Sequence, residues 1–164
     1  MLSSSSTTLR DGFDRQISYL RVSITDRCDF RCQYCMTENM RFLPRSEVLS
    51  IEEILRLARL FIGLGITKIR ITGGEPLVRK GVDTLLQELG KLNGLKELAI
   101  TTNGSQLKEK IPTLVKAGVS SINISLDSLR KERFLAITRV GELNKVLSGI
   151  DSAVELGFLR IRLN

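Results

Sequence analysis

The sequence contains no histidine and no tryptophan, and only two of its 164 residues are tyrosine. Without histidine, these residues cannot form a Ser-His-Asp triad, a Cys-His dyad, an HExxH zinc site or a Cys₂His₂ zinc finger. The scarcity of Trp and Tyr argues against a surface on which the bases of a single-stranded nucleic acid stack, because such surfaces are built from aromatic rings.

Long hydrophobic runs are also missing. No run approaches the roughly 20 apolar residues that cross a bilayer, and the start, Met1–Thr8, lacks the apolar segment of a signal peptide. We therefore expect a cytoplasmic protein without a membrane partner. Apolar residues make up 42% and charged residues 26%, a balance typical of a folded domain. The net charge of +7 suits nucleic acid, a phosphate-bearing metabolite or an anionic cofactor, and charge alone does not choose between them.

All three cysteines, Cys28, Cys32 and Cys35, lie within one short segment with the spacing C-x₃-C-x₂-C. An odd number does not fit a paired disulfide framework, and a tetrahedral zinc site would need a fourth ligand. Three thiolates can instead hold three irons of a cubane cluster and leave the fourth iron open. Three buried or reactive thiols without a metal are the alternative, and the spacing favours metal binding.

Apolar patterning divides the chain into alternating strands and helices. Runs rich in β-branched residues predict strands over 19–24, 67–72, 97–101, 120–125 and 158–163. Apolar residues at helical spacing predict helices over about 51–62, 81–92, 106–117, 129–136 and 143–154. Ser50 and Glu53 form a capping box before the first helix, and Pro112 is expected to break the third. This order predicts a parallel α/β sheet, preceded by a mobile arm over residues 1–16.

Two features of the strand ends point to ligand binding. Gly73 and Gly74 would let the backbone approach a ligand closely, and Glu75 could accept a hydrogen bond from an ammonium group. The alternative is a tight turn in which the glycines need positive φ. For the ends of the third and fourth strands, the simpler interpretation is a turn at Asn103-Gly104 and a helix N-cap at Asp127 or Ser128.

Arginine occurs within or beside several predicted strands, at Arg21, Arg70, Arg160 and Arg162. Because a parallel sheet buried on both faces should be almost wholly apolar, an arginine there is expected to face an anion, which its planar fork can hold. The alternative is a side chain near a strand end that reaches solvent. We favour the anion for Arg21 and leave both interpretations open for Arg160. No glycine-rich phosphate loop of either common type is present.

The cysteine spacing, with the aromatic Tyr34 before Cys35, resembles the signature of the radical S-adenosylmethionine (SAM) enzymes. The resemblance implies a [4Fe–4S] cluster whose open iron is chelated by the amino and carboxylate groups of SAM. It also implies homolytic cleavage of SAM to a 5′-deoxyadenosyl radical. In that family a Gly-Gly-Glu-Pro motif binds the amino group of SAM, which implies this role for Gly73, Gly74 and Glu75.

Four separated stretches, 19–36, 68–77, 101–104 and 123–129, are similar to the GTP 3′,8-cyclases of molybdenum cofactor biosynthesis. That resemblance implies part of an incomplete (β/α)₆ TIM-type barrel over residues 17–164. It implies that GTP is converted to 3′,8-cyclo-7,8-dihydro-GTP by hydrogen abstraction at C3′ and attack on C8. The residue roles it implies are cluster ligation by Cys28, Cys32 and Cys35, SAM contacts by Tyr34, Gly74 and Ser125, and GTP contacts by Arg21, Arg70, Thr101 and Arg162.

The same resemblance implies an incomplete chain, since family members are about twice as long and carry a second cysteine triad near the C-terminus. It implies an electron donor for the cluster, the next enzyme of molybdopterin synthesis and a homodimer as partners. Asp14 stands where the family commonly has Gly, Asp29 where Asn is frequent, Thr37 where Pro is usual, and Arg162 replaces Lys.

Three other functions stay open at this point. One is a radical SAM enzyme that modifies a peptide or a tRNA, and another is a non-catalytic iron–sulfur or SAM-binding module. The third is a basic nucleic-acid binder, for which the charge of +7 is the sole motive.

Overall fold

The backbone forms one open parallel sheet with helices in the connections, seen in a computed structural model that describes residues 8–37, 39–158 and 160–164. The five strands lie side by side in chain order. They are β1 Tyr19–Ser23, β2 Lys68–Thr72, β3 Glu97–Thr102, β4 Val119–Ile124 and β5 Arg160–Leu163. Each overlaps one of the predicted runs, so the strand predictions are confirmed.

Among the described residues, one α-helix fills each of the first three connections, with a short 3-10 helix before it in the first two, and two α-helices fill the last. They are α1 Ile51–Gly63, α2 Val82–Gly90, α3 Leu107–Lys116, α4 Lys131–Thr138 and α5 Leu143–Glu155. Within the described residues, the edge strands β1 and β5 do not pair with each other. The predicted incomplete barrel of parallel (β/α) repeats is confirmed.

The two faces of the sheet differ sharply in polarity, because side chains alternate along each strand. One in-register row is entirely apolar and packs beneath the helices: Val22, Ile71, Ile100, Ile122 and Ile161. The preceding row, on the opposite face, is largely polar: Arg21, Arg70, Ala99, Ser121 and Arg160. The row that follows the apolar one is polar throughout: Ser23, Thr72, Thr101, Asn123 and Arg162. We call this second side the polar face. The helices cover the apolar face, and the strand arginines lie on the other one.

Helix α1 begins as its sequence predicts. Ser50 Oγ accepts a hydrogen bond from Glu53 N at 3.2 Å, and Glu53 Oε2 accepts one from Ser50 N at 2.7 Å. Ile54, Leu55 and Ala58 form its buried stripe against the sheet. The capping box therefore positions the segment that returns from the three cysteines to the core.

Pro112 does not break α3, contrary to the prediction. The helix is continuous from Leu107 to Lys116 with the proline inside it. Pro112 is exposed while Ile111 and Leu114 are buried, so the kink-prone position faces solvent. Water can therefore satisfy the carbonyl that proline leaves without its helical N–H partner, and the buried face keeps its packing.

The segment before β1 folds back on the end of α1. Leu9 N donates to Leu64 O at 3.1 Å, and Ile17 N donates to Leu9 O at 2.9 Å. Asp14 has a φ of 62°, a left-handed conformation for which glycine is the preferred residue. Residues 1–7 of the predicted arm lie outside the described residues. In the part of the chain that the structure describes, no helix has the length and apolar character needed to span a membrane.

Candidate functional site

The three cysteines lie on a loop that follows β1, which we call the cysteine loop, residues 28–36. Cys28 and Cys32 are half-buried and Cys35 is exposed, and all three are free thiols. A turn closes the loop, because Cys35 N and Met36 N both donate to Cys32 O at 3.0 Å. The turn keeps the three cysteines within one short loop, as their spacing predicts.

Burial makes two of these thiols hard to ionise. It raises the pKa of Cys28 to about 11, and the nearby Asp29, Glu75 and Cys32 add to the shift. Burial also raises the pKa of Cys32, with further contributions from Asp127 and Cys35. A thiolate here needs a compensating cation, and iron in a cluster provides one.

The Gly-Gly segment after β2 packs against the backbone that leads into the cysteine loop. Gly74 N donates to Thr25 O at 2.7 Å, and Glu75 N donates to Arg27 O at 2.8 Å. A Cβ atom on Gly73 would lie 2.6 Å from Thr25 O, and one on Gly74 would lie 2.4 Å from Arg27 O. Neither glycine has positive φ, so the turn interpretation is wrong. These glycines are required because two backbone segments meet.

Glu75 is fully buried and accepts three hydrogen bonds. Its Oε1 accepts from Leu77 N and from Thr102 Oγ1, both at 2.9 Å, and its Oε2 accepts from Asn103 N at 2.6 Å. Burial raises the pKa of this carboxyl to about 7, although the three donors act in the opposite direction. The carboxylate thus joins the Gly-Gly segment to the end of β3. Its predicted contact with SAM stays a prediction.

A second set of hydrogen bonds ties the loop after β3 to the cysteine loop. Asn103 Nδ2 donates to Asp29 Oδ1 at 2.8 Å, and Ser105 Oγ donates to Asp29 Oδ2 at 2.6 Å. Asn103 Nδ2 also lies 3.7 Å from Cys28 Sγ. The predicted Asn103-Gly104 turn is present, with Ser105 N donating to Asn103 Oδ1 at 2.9 Å. The sequence favoured a turn for Asn103 and Gly104 and did not predict their link to Asp29.

The C-terminal end of α4 supports the cysteine loop from a third side. Arg31 N donates to Thr138 O at 3.0 Å, and Gln33 N donates to Ile137 O at 2.9 Å. Arg139 Nη1 donates to Arg31 O and to Met36 O, at 3.1 and 3.0 Å. These residues carry no sequence signal for such a role, since the partners are more than a hundred positions apart.

Tyr34 reaches from the cysteine loop to the end of β4. Its hydroxyl donates to Asp127 Oδ2 at 3.3 Å, and burial, Cys32 and Asp127 together raise the pKa of the phenol. The prediction that Asp127 or Ser128 is the N-cap of α4 is wrong. The N-cap is Arg130, whose side chain makes no capping hydrogen bond. Ser125 directly follows β4, and its N–H donates to Thr102 O at 2.9 Å.

The four strand arginines all lie on the polar face, but their partners differ. Arg160 Nη2 pairs with Glu97 Oε2 at 3.1 Å, and Lys68 pairs with Glu97 Oε1 at 2.8 Å. These two cations lower the pKa of Glu97 although burial opposes them. Arg160 therefore has an ion-pair partner within the protein, although it shares the single charge of Glu97 with Lys68. This pairing is neither of the two interpretations left open for it.

Arg21, Arg70 and Arg162 have no carboxylate partner among the described residues. Arg70 is 6% exposed and donates to Tyr19 Oη at 3.0 Å, to Ile100 O at 3.2 Å and to Thr101 Oγ1 at 3.4 Å. The polar face thus presents uncompensated positive charge, as an anion site requires.

Asn123 is a further polar group on this face that sequence reasoning did not single out. Its buried Oδ1 has no hydrogen-bond partner among the described residues. In register it lies between Thr101 and Arg162. A buried acceptor without a donor is costly, so a ligand that donates a hydrogen bond would complete this part of the face. Alternation along β4 was the available signal, since Asn123 occupies a polar position between two isoleucines.

The donor set of the cysteine loop fits an iron–sulfur cluster. In residues 8–37, 39–158 and 160–164, no three Cys, Asp or Glu side chains converge closely enough to hold a single metal ion. A cubane does not require such convergence, because each thiolate binds a different iron. The three free thiols and their fixed backbone supports fit this wider arrangement.

The family model of the radical SAM superfamily matches residues 22–163. This chain belongs to the radical SAM superfamily. The match covers the end of β1, the complete cysteine loop and strands β2 to β5, and the cofactors of this chain are therefore a [4Fe–4S] cluster and SAM. The predicted family and cofactors are confirmed. The individual contacts predicted for Tyr34, Gly74, Ser125 and the arginines stay predictions.

Among related radical SAM sequences, GTP 3′,8-cyclase 2 of Pseudomonas aeruginosa is 60% identical over 160 residues, which are 98% of this chain and 48% of the relative. GTP 3′,8-cyclase of Saccharophagus degradans is 56% identical over 158 residues, which are 96% of this chain and 48% of the relative. The chain thus spans about half the length of the relatives it matches.

Solved structures of other proteins share the fold. Streptococcus suis SuiB bound to S-adenosylmethionine has a TM-score of 0.72 at 24% identity, over 90% of this chain and 33% of that one. Methylornithine synthase PylB has a TM-score of 0.64 at 14% identity, over 87% of this chain and 42% of that one. At these identities the likeness supports the open parallel sheet and its helices alone.

Proposed function

We propose that this chain is the cluster- and SAM-binding part of a GTP 3′,8-cyclase, the enzyme that converts GTP to 3′,8-cyclo-7,8-dihydro-GTP in molybdenum cofactor biosynthesis. The observation that carries the proposal is the 60% identity to a protein of that name over nearly the whole chain. The uncompensated arginines of the polar face support it, because the triphosphate of GTP is strongly anionic.

The residues divide between holding the cofactors and holding the nucleotide. Cys28, Cys32 and Cys35 would ligate the cluster, and Tyr34, Gly74 and Ser125 would contact SAM. The cluster and SAM, when bound, supply one-electron cleavage chemistry that generates a carbon-centred radical. No protein general base is needed to abstract a hydrogen atom, which suits a chain without histidine.

The polar face would bind and orient GTP. Arg21, Arg70 and Arg162 offer forked guanidinium groups to phosphate oxygens, which accept but do not donate hydrogen bonds. Thr101 and Asn123 lie in the row of Arg162 and offer oxygen atoms to the ribose hydroxyls or the guanine N–H groups. The face thereby holds groups suited to both ends of a nucleotide.

Partners and location follow from the same proposal. The cluster needs an electron donor, and the product needs an enzyme that consumes it in the next step of molybdopterin synthesis. Three free thiols that must stay reduced suit the cytoplasm. The edges of β1 and β5 offer backbone groups for a further strand, either of the same protein or of a second copy in a homodimer.

Transfer of isotope from the substrate tests this proposal. The intact protein that carries this chain is reconstituted anaerobically with iron and sulfide and given SAM, a reductant and GTP deuterated at C3′. We expect deuterium in 5′-deoxyadenosine by mass spectrometry, and none from GTP deuterated at C2′. An intact cluster whose spectrum responds to SAM, without transfer from C3′, would reject GTP cyclisation and favour a peptide, a tRNA or a non-catalytic function.

A further inference from the structure

The sulfur of Cys28 receives two N–H groups from its surroundings. Phe30 N lies 3.4 Å from Cys28 Sγ, and Asn103 Nδ2 lies 3.7 Å from it. Both distances are within the range of N–H···S hydrogen bonds. The first donor belongs to the cysteine loop itself, whereas the second comes from the loop after β3, 75 residues further along the chain.

The side-chain amide of Asn103 is fixed in one orientation. Its Oδ1 accepts from Ser105 N at 2.9 Å, so the Nδ2 group must point the other way, towards Asp29 Oδ1 at 2.8 Å. The flipped amide would set its oxygen against the carboxylate of Asp29. The NH₂ group has two hydrogens and two acceptors in reach, the carboxylate and Cys28 Sγ.

The backbone of Asn103 is held as firmly as its side chain. Asn103 N donates to the buried Glu75 Oε2 at 2.6 Å, and Ser105 Oγ donates to Asp29 Oδ2 at 2.6 Å. The loop therefore stays docked on the cysteine loop through contacts that do not involve the Asn103 amide. This separates the effect of the N–H···S contact from the effect of loop placement.

We propose that Asn103 is a positioning residue that donates a hydrogen bond to the Cys28 thiolate and thereby raises the reduction potential of the cluster. Hydrogen bonds to cluster sulfurs stabilise the more negative, reduced state. The inference requires the cluster but not GTP, so it stands or falls independently of the proposed substrate.

An EPR-monitored redox titration of N103S and S105A, in the intact protein without SAM or GTP, tests the proposal. Serine at position 103 can accept from Ser105 N and keep the turn, but its hydroxyl is too short to replace the amide at Cys28. We expect a lower midpoint potential for N103S than for the unsubstituted protein. We expect no shift for S105A, which loses a contact to Asp29 but keeps the amide at the sulfur.

Equal potentials for N103S and the unsubstituted protein would overturn the proposal, as would an equal shift in S105A. If N103S assembles no cluster, the unsubstituted protein labelled with ¹⁵N in asparagine side chains decides. We expect a weak ¹⁵N hyperfine coupling to the reduced cluster, transmitted through the N–H···S contact. Its absence would refute the hydrogen bond without any substitution.

Discussion

The cysteine loop, which follows β1, and the polar face of the sheet satisfy their polar groups in opposite ways. The loop is held by the Gly-Gly segment, by the Asn103–Ser105 segment and by the end of α4. On the polar face, three arginines lack a carboxylate among the described residues, and Asn123 Oδ1 lacks a donor.

The two regions are prepared for their ligands in different ways. A cluster needs its thiolates at set positions, so the protein fixes the loop backbone with internal hydrogen bonds in advance. A charged substrate needs countercharge, so the protein leaves cations without internal partners. Arg160 also lies on the polar face, but it pairs with Glu97, unlike the three arginines that lack a carboxylate among the described residues.

The largest effect is expected from removing one support of the cysteine loop. In G74A the new Cβ would lie 2.4 Å from Arg27 O and 2.7 Å from Asp26 O, and neither backbone atom can withdraw like a side chain. We expect loss of most bound iron and a fall of about 3 kcal/mol or more in the free energy of unfolding. Iron analysis and urea denaturation measure both.

Gly63 offers the matched control for that substitution. A Cβ there meets nothing within 4 Å, and its φ is not positive. G63A should keep its iron and be as stable as the unsubstituted protein or more stable by up to about 1 kcal/mol. Retention of iron and stability in G74A would show that close backbone packing does not position the cysteine loop.

Glu75 is expected to make the free energy of unfolding depend on pH. Its pKa is raised from 4.5 to about 7, chiefly by burial. The folded state therefore binds this proton more tightly than the unfolded state does. The contribution of Glu75 to the free energy of unfolding should be largest below about pH 4.5, fall as the pH rises to about 7, and then level off.

The variant E75Q isolates this contribution because glutamine does not titrate. We expect the difference in unfolding free energy between the two proteins, measured by urea denaturation without iron from pH 4.5 to 8, to change by at most about 3 kcal/mol. Parallel pH profiles would mean that folding does not raise the pKa of Glu75.

The smallest effect, and the sharpest test of the polar face, compares two arginines of β5. R162A removes a cation without a carboxylate partner, so GTP binding should weaken about 10- to 100-fold. R160A removes one that already pairs with Glu97, so GTP binding should weaken less than about 3-fold. Equilibrium dialysis of the two variants at matched iron content measures both GTP affinities. Equal losses of affinity would show that the ion pair with Glu97 does not decide which arginine binds GTP.

Local patterns in the sequence predicted much of this molecule. The five strands, the capping box at Ser50 and Glu53 and the family were all predicted correctly, because each depends on patterns within short stretches of the chain. Pro112 was predicted wrongly for the same reason, since its effect depends on whether the helix face that carries it meets solvent or core.

The supports of the site could not be predicted in this way. Asn103 and Asp29 are 74 residues apart, and Arg139 and Met36 are 103 apart, so no local pattern links them. The roles of Arg160 and Arg162 depend on which one the folded sheet brings to Glu97, although both have the same charge and lie on the same face.

The sequence by itself determined which elements form, where the thiols lie and that positive charge accompanies the strands, because these follow from short-range periodicity and residue chemistry. The tertiary structure alone decided which glycines meet backbone, which carboxylate is buried and which arginines keep their charge available. Those outcomes depend on strand register and on contacts between distant segments, which exist only in the folded chain.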